Sequence, residues 1–150
     1  MVGIPKYALY LGLAGVLPFA WGALTAYFPA LSEWTTIMIG PRFVGPYLQL
    51  FYGAVILSFM SGVLWGFAIK TDGRQTAIGC TLSVVPALWA FFMTDGEPQT
   101  ASLNLIAGFI GLLILDWYFW TSGQAPIWWM GLRLFLTGLV ILCLIFGRIA

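Results

Sequence analysis

The sequence predicts an all-α integral membrane protein, a bundle of five transmembrane helices with a short interfacial segment between the first and second. Three observations predict it. Of the 150 residues, 61% are hydrophobic and 7% charged, against roughly 25% charged in soluble domains. The apolar residues gather into five stretches, each long enough to cross a bilayer. Nearly all the charges and turn residues fall in the gaps between them.

A helix crossing about 30 Å of hydrocarbon needs about 20 apolar residues. Stretches 7–29, 47–69, 76–94, 101–121 and 127–147 meet that length, so residues 1–150 read as one five-span membrane domain. The first follows Lys6, and its apolar run exceeds the roughly 7–15 residues of a signal-peptide core. It is expected to stay as a resident helix, with no presequence and no water-soluble domain. Pro18 falls inside it and removes one backbone hydrogen bond.

Residues 31–46 are too polar at the start to span and too apolar to be free. Ser32 is positioned to cap a short helix whose Trp34, Ile37 and Met38 share one face. That segment is expected to lie in the interface, broken by Gly40-Pro41 and Gly45-Pro46. The second span ends before a tight polar turn, Thr71-Asp72-Gly73-Arg74. The third contains Pro86, with Ser83 and Thr81 upstream to help satisfy freed carbonyls. Asp95-Gly96-Glu97-Pro98 turns the chain into the fourth span. Ser122-Gly123-Gln124-Ala125-Pro126 closes the fourth, with Pro126 suited to begin the fifth. Connections this short make neighbouring helices antiparallel.

Lysine and arginine placement sets orientation. Lys6, Lys70 and Arg74 share one side, with Arg133 close behind. Arg42 and Arg148 lie on the other, together with Glu33, Asp95 and Glu97. The bias places the N-terminus in the cytoplasm and the C-terminus in the periplasm of a bacterial inner membrane.

Small residues four apart allow close helix approach in lipid. Ala54, Ser58, Gly62 and Gly66 form such a row in the second span, and Ala14, Pro18, Gly22 and Ala26 form one in the first. The two rows either pack on each other or face a partner protein.

Two charges remain inside spans, Asp116 and Arg133. Intramembrane charges tend to face the bundle interior and pair. Asp116 lies five residues before Thr121, and Arg133 six after Ile127. A hairpin centred near 124–125 therefore brings both to one depth, predicting a direct salt bridge. It is either a clamp fixing the register of the last two helices or a binding or proton-coupled site. Trp117, Trp120, Trp128 and Trp129 surround this hairpin and suit an interfacial aromatic belt. A second candidate, an outward-facing pocket, combines Arg42, Gln49, Tyr52 and Trp65.

Several chemistries are excluded. The chain has no histidine, which removes haem ligation by His, His-based zinc sites and Ser-His or Cys-His catalysis. A net charge of +1 supplies no field for nucleic acid. Cys80 and Cys143 lack CxxC spacing and read as packing residues. No metal or other cofactor is expected.

Ile4-Pro5-Lys6, Leu11-Gly12 and Gly15-Val16-Leu17-Pro18-Phe19 open a pattern that continues through Gln49, Tyr52-Gly53, Leu57-Ser58-Phe59, Gly62 and Trp65-Gly66-Phe67. Ser83, Pro86-Ala87-Leu88, Trp89, Asp116, Pro126, Trp128, Leu132-Arg133 and Thr137 complete it. In order and spacing this resembles the transmembrane protein 69-like family, also called domain of unknown function family 3429. The resemblance implies a small multi-pass protein of bacterial inner membranes with mitochondrial relatives in eukaryotes. It carries over no catalytic residue. Leu64 departs from the pattern, standing where some relatives have a basic residue before the tryptophan.

The expected function is a non-enzymatic accessory subunit or structural component of a larger energy-transducing membrane complex, partnered by lipid and by another membrane protein or a second copy. The alternative is a small-molecule, lipid- or quinone-binding or transport protein using the Asp116/Arg133 region. An intramembrane enzyme is the poorest reading, because no nucleophile has an adjacent base.

Overall fold

The computed structural model describes residues 3–150. Helix α1 (Lys6–Tyr27) is followed by α2 (Pro29–Met38), a 3₁₀ turn at Pro41–Phe43 and α3 (Gly45–Ala68). Then come α4 (Gly73–Ser83), α5 (Val85–Met93), α6 (Pro98–Thr121) and α7 (Trp129–Ile149). Among the described residues there are no strands, and α4 and α5 together make one span, so five helices are long and apolar enough to cross a membrane.

Local chemistry sets the boundaries. Pro29 disfavours helical backbone at the preceding residue. Phe28 is accordingly extended, with φ −112° and ψ 98°, and α1 ends two residues earlier than its apolar run. Pro29 itself begins α2, so Ser32 lies inside that helix instead of capping it. The expected apolar face of α2 is present and uncovered: Trp34, Ile37 and Met38 are all exposed, while Thr35 is buried. Pro126 does not begin α7. Residues 126–128 form a turn, with the Trp129 amide donating to the Pro126 carbonyl at 3.0 Å.

The third span breaks at Val84, where Pro86 cannot donate. The break is repaired from the neighbouring helix: the Ala87 amide donates to Ser61 Oγ of α3 at 2.9 Å. Ser83 Oγ donates to the Cys80 carbonyl at 2.7 Å and Thr81 Oγ1 to the Ala77 carbonyl at 2.7 Å, relieving the upstream turn.

Helix α3 packs against α1, α4, α5 and α6, and α1 also lies along α7, which pairs with α6. The core is a layer of Phe19, Leu57, Leu64, Leu105, Phe109, Leu112, Phe119 and Leu144, each at most 1% exposed. Phe19 stands edge-on to Tyr52 and Phe109, with ring centroids 5.2 and 5.8 Å away.

The expected packing of α3 through Ala54, Ser58, Gly62 and Gly66 is not what forms. Ser58 and Gly62 are exposed, and side chains added at Gly62 or Gly66 would meet nothing within 4 Å. The buried row is Gly45, Gln49, Gly53, Leu57, Met60, Leu64 and Ala68. It lies about 100° around the helix from the expected one, a single residue's rotation. Bulky apolar groups and the Gln49 amide select that face. Gln49 Nε2 donates to the Phe19 carbonyl of α1 at 2.9 Å and the Cys143 carbonyl of α7 at 3.0 Å. Thr25 Oγ1 of α1 accepts from the Gly45 amide at 2.7 Å, satisfying an orphan donor at the start of α3.

Of the expected α1 row, Gly22 is buried and Ala14 is exposed. A Cβ added at Gly22 would sit 2.5 Å from Gln49 Cγ and 3.1 Å from the Gly45 carbonyl. Gly22→Ala is therefore expected to destabilise the protein by about 1–3 kcal/mol, read as thermal unfolding in mild detergent. Gly62→Ala should stay within about 0.5 kcal/mol of wild type. Equal losses at the two positions would contradict this packing.

Candidate functional site

The α6–α7 hairpin is built by its turn. Gly123, with φ 78°, follows the end of α6. Its amide donates to the Trp120 carbonyl at 3.2 Å, and the Gln124 amide donates to the Phe119 carbonyl at 3.0 Å. This is a Schellman stop, which needs a left-handed residue where glycine is at ease. Trp120 Nε1 donates to the Ile127 carbonyl at 3.0 Å, pinning the return strand of the turn.

That hairpin sets Asp116 opposite Arg133. Asp116 occupies a core position in the α6 row Leu105, Phe109, Leu112, Asp116, Phe119 and is 0% exposed. Arg133 sits among Leu132, Leu136 and Val140 on the inner face of α7 and is 7% exposed. Arg133 Nε donates to Asp116 Oδ2 at 2.8 Å. The other carboxylate oxygen accepts from Trp129 Nε1 at 2.9 Å. Trp129 is held edge-on against Phe67 of α3, with centroids 5.1 Å apart.

The guanidinium is less complete than the carboxylate. Arg133 Nη2 and Thr137 Oγ1 are buried and have no hydrogen-bond partner. A buried donor left unmade costs about 1–3 kcal/mol. Arg133 and Thr137 both line a cavity of about 380 Å³ between α1, α3 and α7. The rest of its wall is largely apolar, including Gly15, Val16, Ile56, Met60 and Phe109. Leu11 and Phe59, which also line it, are 74% and 65% exposed. The cavity thus opens sideways on the lipid-facing surface between α1 and α3.

The residues expected to form an outward pocket are not brought together. Gln49 is buried as a tie between three helices. Tyr52 packs on Phe19, the exposed Arg42 lies over the Phe51 ring at 4.9 Å, and Trp65 is exposed near the other end of α3. The tryptophan cluster divides as well. Trp117 and Trp120 are exposed, whereas Trp128 and Trp129 line the cavity.

Sequence reasoning missed Trp129 and Thr137 as members of the site. Their signal is spacing: they lie four residues before and after Arg133, on its face of α7. It also missed Asn104, whose Nδ2 donates to the Met93 carbonyl at 2.9 Å and whose carbonyl accepts from Trp89 Nε1 at 2.7 Å, joining α5 to α6.

The fold and the site together define a small multi-pass helical membrane protein with a charge pair inside its last hairpin. A family model described as protein of unknown function (DUF3429) matches residues 4–149, and the chain belongs to that family. Transmembrane protein 69 of Xenopus tropicalis is 34% identical over 155 residues, covering 94% of this chain and 53% of that protein. Transmembrane protein 69 of Mus musculus is 29% identical over 139 residues, covering 87% of this chain and 50% of that protein. The chain spans about half the length of these curated relatives. No solved structure matches it.

Removing either charge leaves the other in a poorly hydrated interior. Asp116→Asn and Arg133→Leu are each expected to cost about 3–5 kcal/mol. The double variant should recover part of the summed loss in thermal unfolding. Strictly additive losses would show that the two residues do not act as a pair.

Proposed function

We propose that this protein is a non-enzymatic membrane component that takes an amphipathic small molecule from the bilayer into the cavity between α1, α3 and α7. One observation carries the reading: about 380 Å³ of mostly apolar space inside the bundle, opening toward lipid between Leu11 and Phe59. Its size falls within the roughly 300–1,000 Å³ of small-molecule sites. An apolar chain entering sideways leaves one hydrocarbon environment for another, so the tail costs little to transfer. The wall offers no nucleophile with an adjacent base, and the Asp116 carboxylate is already held at both oxygens.

A second reading is an accessory subunit bound to a larger inner-membrane complex. The exposed Ser58 and Gly62 of α3 favour it, since small residues let a partner's helix approach closely. Both readings fit a bacterial inner membrane with the N-terminus cytoplasmic, the side favoured by Lys6, Lys70 and Arg74.

Extraction of protein purified in mild detergent, followed by mass spectrometry, is expected to recover one amphiphile in near-stoichiometric amount. Gly15→Leu should lose it: Gly15 lines the cavity, and a Cβ there meets only Tyr52 Oη at 3.7 Å, so a side chain can be attached without a backbone clash. An unchanged yield from that variant would sink the binding reading. Stoichiometric recovery of a partner subunit, abolished by Gly62→Leu, would favour the second. For orientation, a C-terminal reporter should be active outside the cytoplasm, and cytoplasmic activity would reverse the assignment.

A further inference from the structure

The geometry points to a neutral carbonyl oxygen, of a quinone or an ester head group, as the polar group seated at Arg133 and Thr137; this rests on the cavity being a binding site. Asp116 is the reason the head group is neutral. Its carboxylate lies 2.8 Å from Arg133 Nε and already balances the guanidinium. An anionic ligand would add a second negative charge to a pair that sums to zero, in surroundings of Leu132, Leu136, Val140 and Phe109. Burial of an uncompensated charge is strongly disfavoured. A carbonyl adds none.

The donors match such a group. Arg133 Nη2 and Thr137 Oγ1 are both buried without partners. They belong to residues one helical turn apart on the same face of α7, both of which line the cavity. A carbonyl oxygen has two lone pairs and accepts from both groups at once. Its tail then runs along Gly15, Ile56 and Met60 toward the opening at Leu11 and Phe59. Ligand binding would therefore give Arg133 Nη2 and Thr137 Oγ1 an acceptor without disturbing the Arg133 Nε contact to Asp116.

The test uses the full-length protein in detergent with three chain-matched probes: an alkyl benzoquinone, a monoacylglycerol ester, and a fatty acid at pH 8, where it is ionised. At least one neutral probe should bind ten or more times tighter than the acid, and the better of the two identifies the source of the carbonyl. Thr137→Val should weaken that probe about five- to tenfold, and Thr137→Ser should retain it. Because Thr137 Oγ1 is buried without a partner in the protein, the valine variant is expected to unfold at or above the wild-type temperature without ligand. Tighter or equal binding of the fatty acid, or indifference to Thr137→Val while Gly15→Leu still abolishes binding, would overturn the carbonyl assignment alone. Failure of every probe to bind, or indifference to Gly15→Leu, would overturn the cavity reading beneath it.

Discussion

The contact between Asp116 and Arg133 constrains the rest of the bundle, because neither charge is tolerable in the hydrocarbon region without the other. Asp116 sits in a row of core residues, so α6 must turn that row inward. Arg133 must then meet it from α7 at the same depth, which leaves the hairpin a single register. Trp129 closes the remaining valence of the carboxylate and rests on Phe67 of α3. One ionic contact thereby couples three helices. It also fixes which face of α7 meets α1, since Leu136, one turn beyond Leu132, packs directly over Gly12.

The opposite end of the bundle is held differently. There Gln49 spans α1 and α7 with one amide group, and Thr25 caps the start of α3. Gly22 and Gly147 let those helices close around Gln49, since a Cβ at either would lie 2.5 Å from its side chain. At the cavity end α1 stays close to α7, where a Cβ on Gly12 would lie 2.5 Å from Leu136. The cavity lies beside that contact, lined by Gly12, Gly15 and Val16 of α1 and by Ile56, Met60 and Val63 of α3.

Five spans were legible from length and apolarity alone, because a bilayer imposes one dimension on every helix that crosses it. The ion pair was legible too, since a short hairpin converts sequence distance from the turn into depth. The α3 packing face was not. In lipid, hydrophobicity does not separate inside from outside, and Ala54, Ser58, Gly62 and Gly66 are as regular a row as the buried Gly45, Gln49, Gly53 and Leu57. The bulk of Leu57, Met60 and Leu64 and the need of the Gln49 amide for partners break that tie, and those partners lie 30 and 94 residues away in sequence. The cavity was illegible for the same reason: it is lined from α1, α3 and α7 with Phe109 of α6, and no local pattern records a gap left among helices that touch elsewhere.

The polar groups near the ion pair also bear on transport. A proton or ion path needs a continuous line of hydrated or ionisable groups. Besides Arg133 and Thr137, the cavity is lined by apolar groups such as Leu136, Val140, Val16, Phe19 and the fully buried Phe109. Gln49 and Thr25, which do not line it, have donors committed to backbone carbonyls. Asp116 faces no second carboxylate among the described residues and holds two hydrogen bonds of its own. What surrounds the pair is thus largely apolar, and the proposed function is accordingly one of holding a molecule and not of passing a charge. The same apolarity gives the unpaired nitrogen of Arg133 its chemical weight, because in such a wall a single acceptor oxygen is the cheapest way to satisfy it.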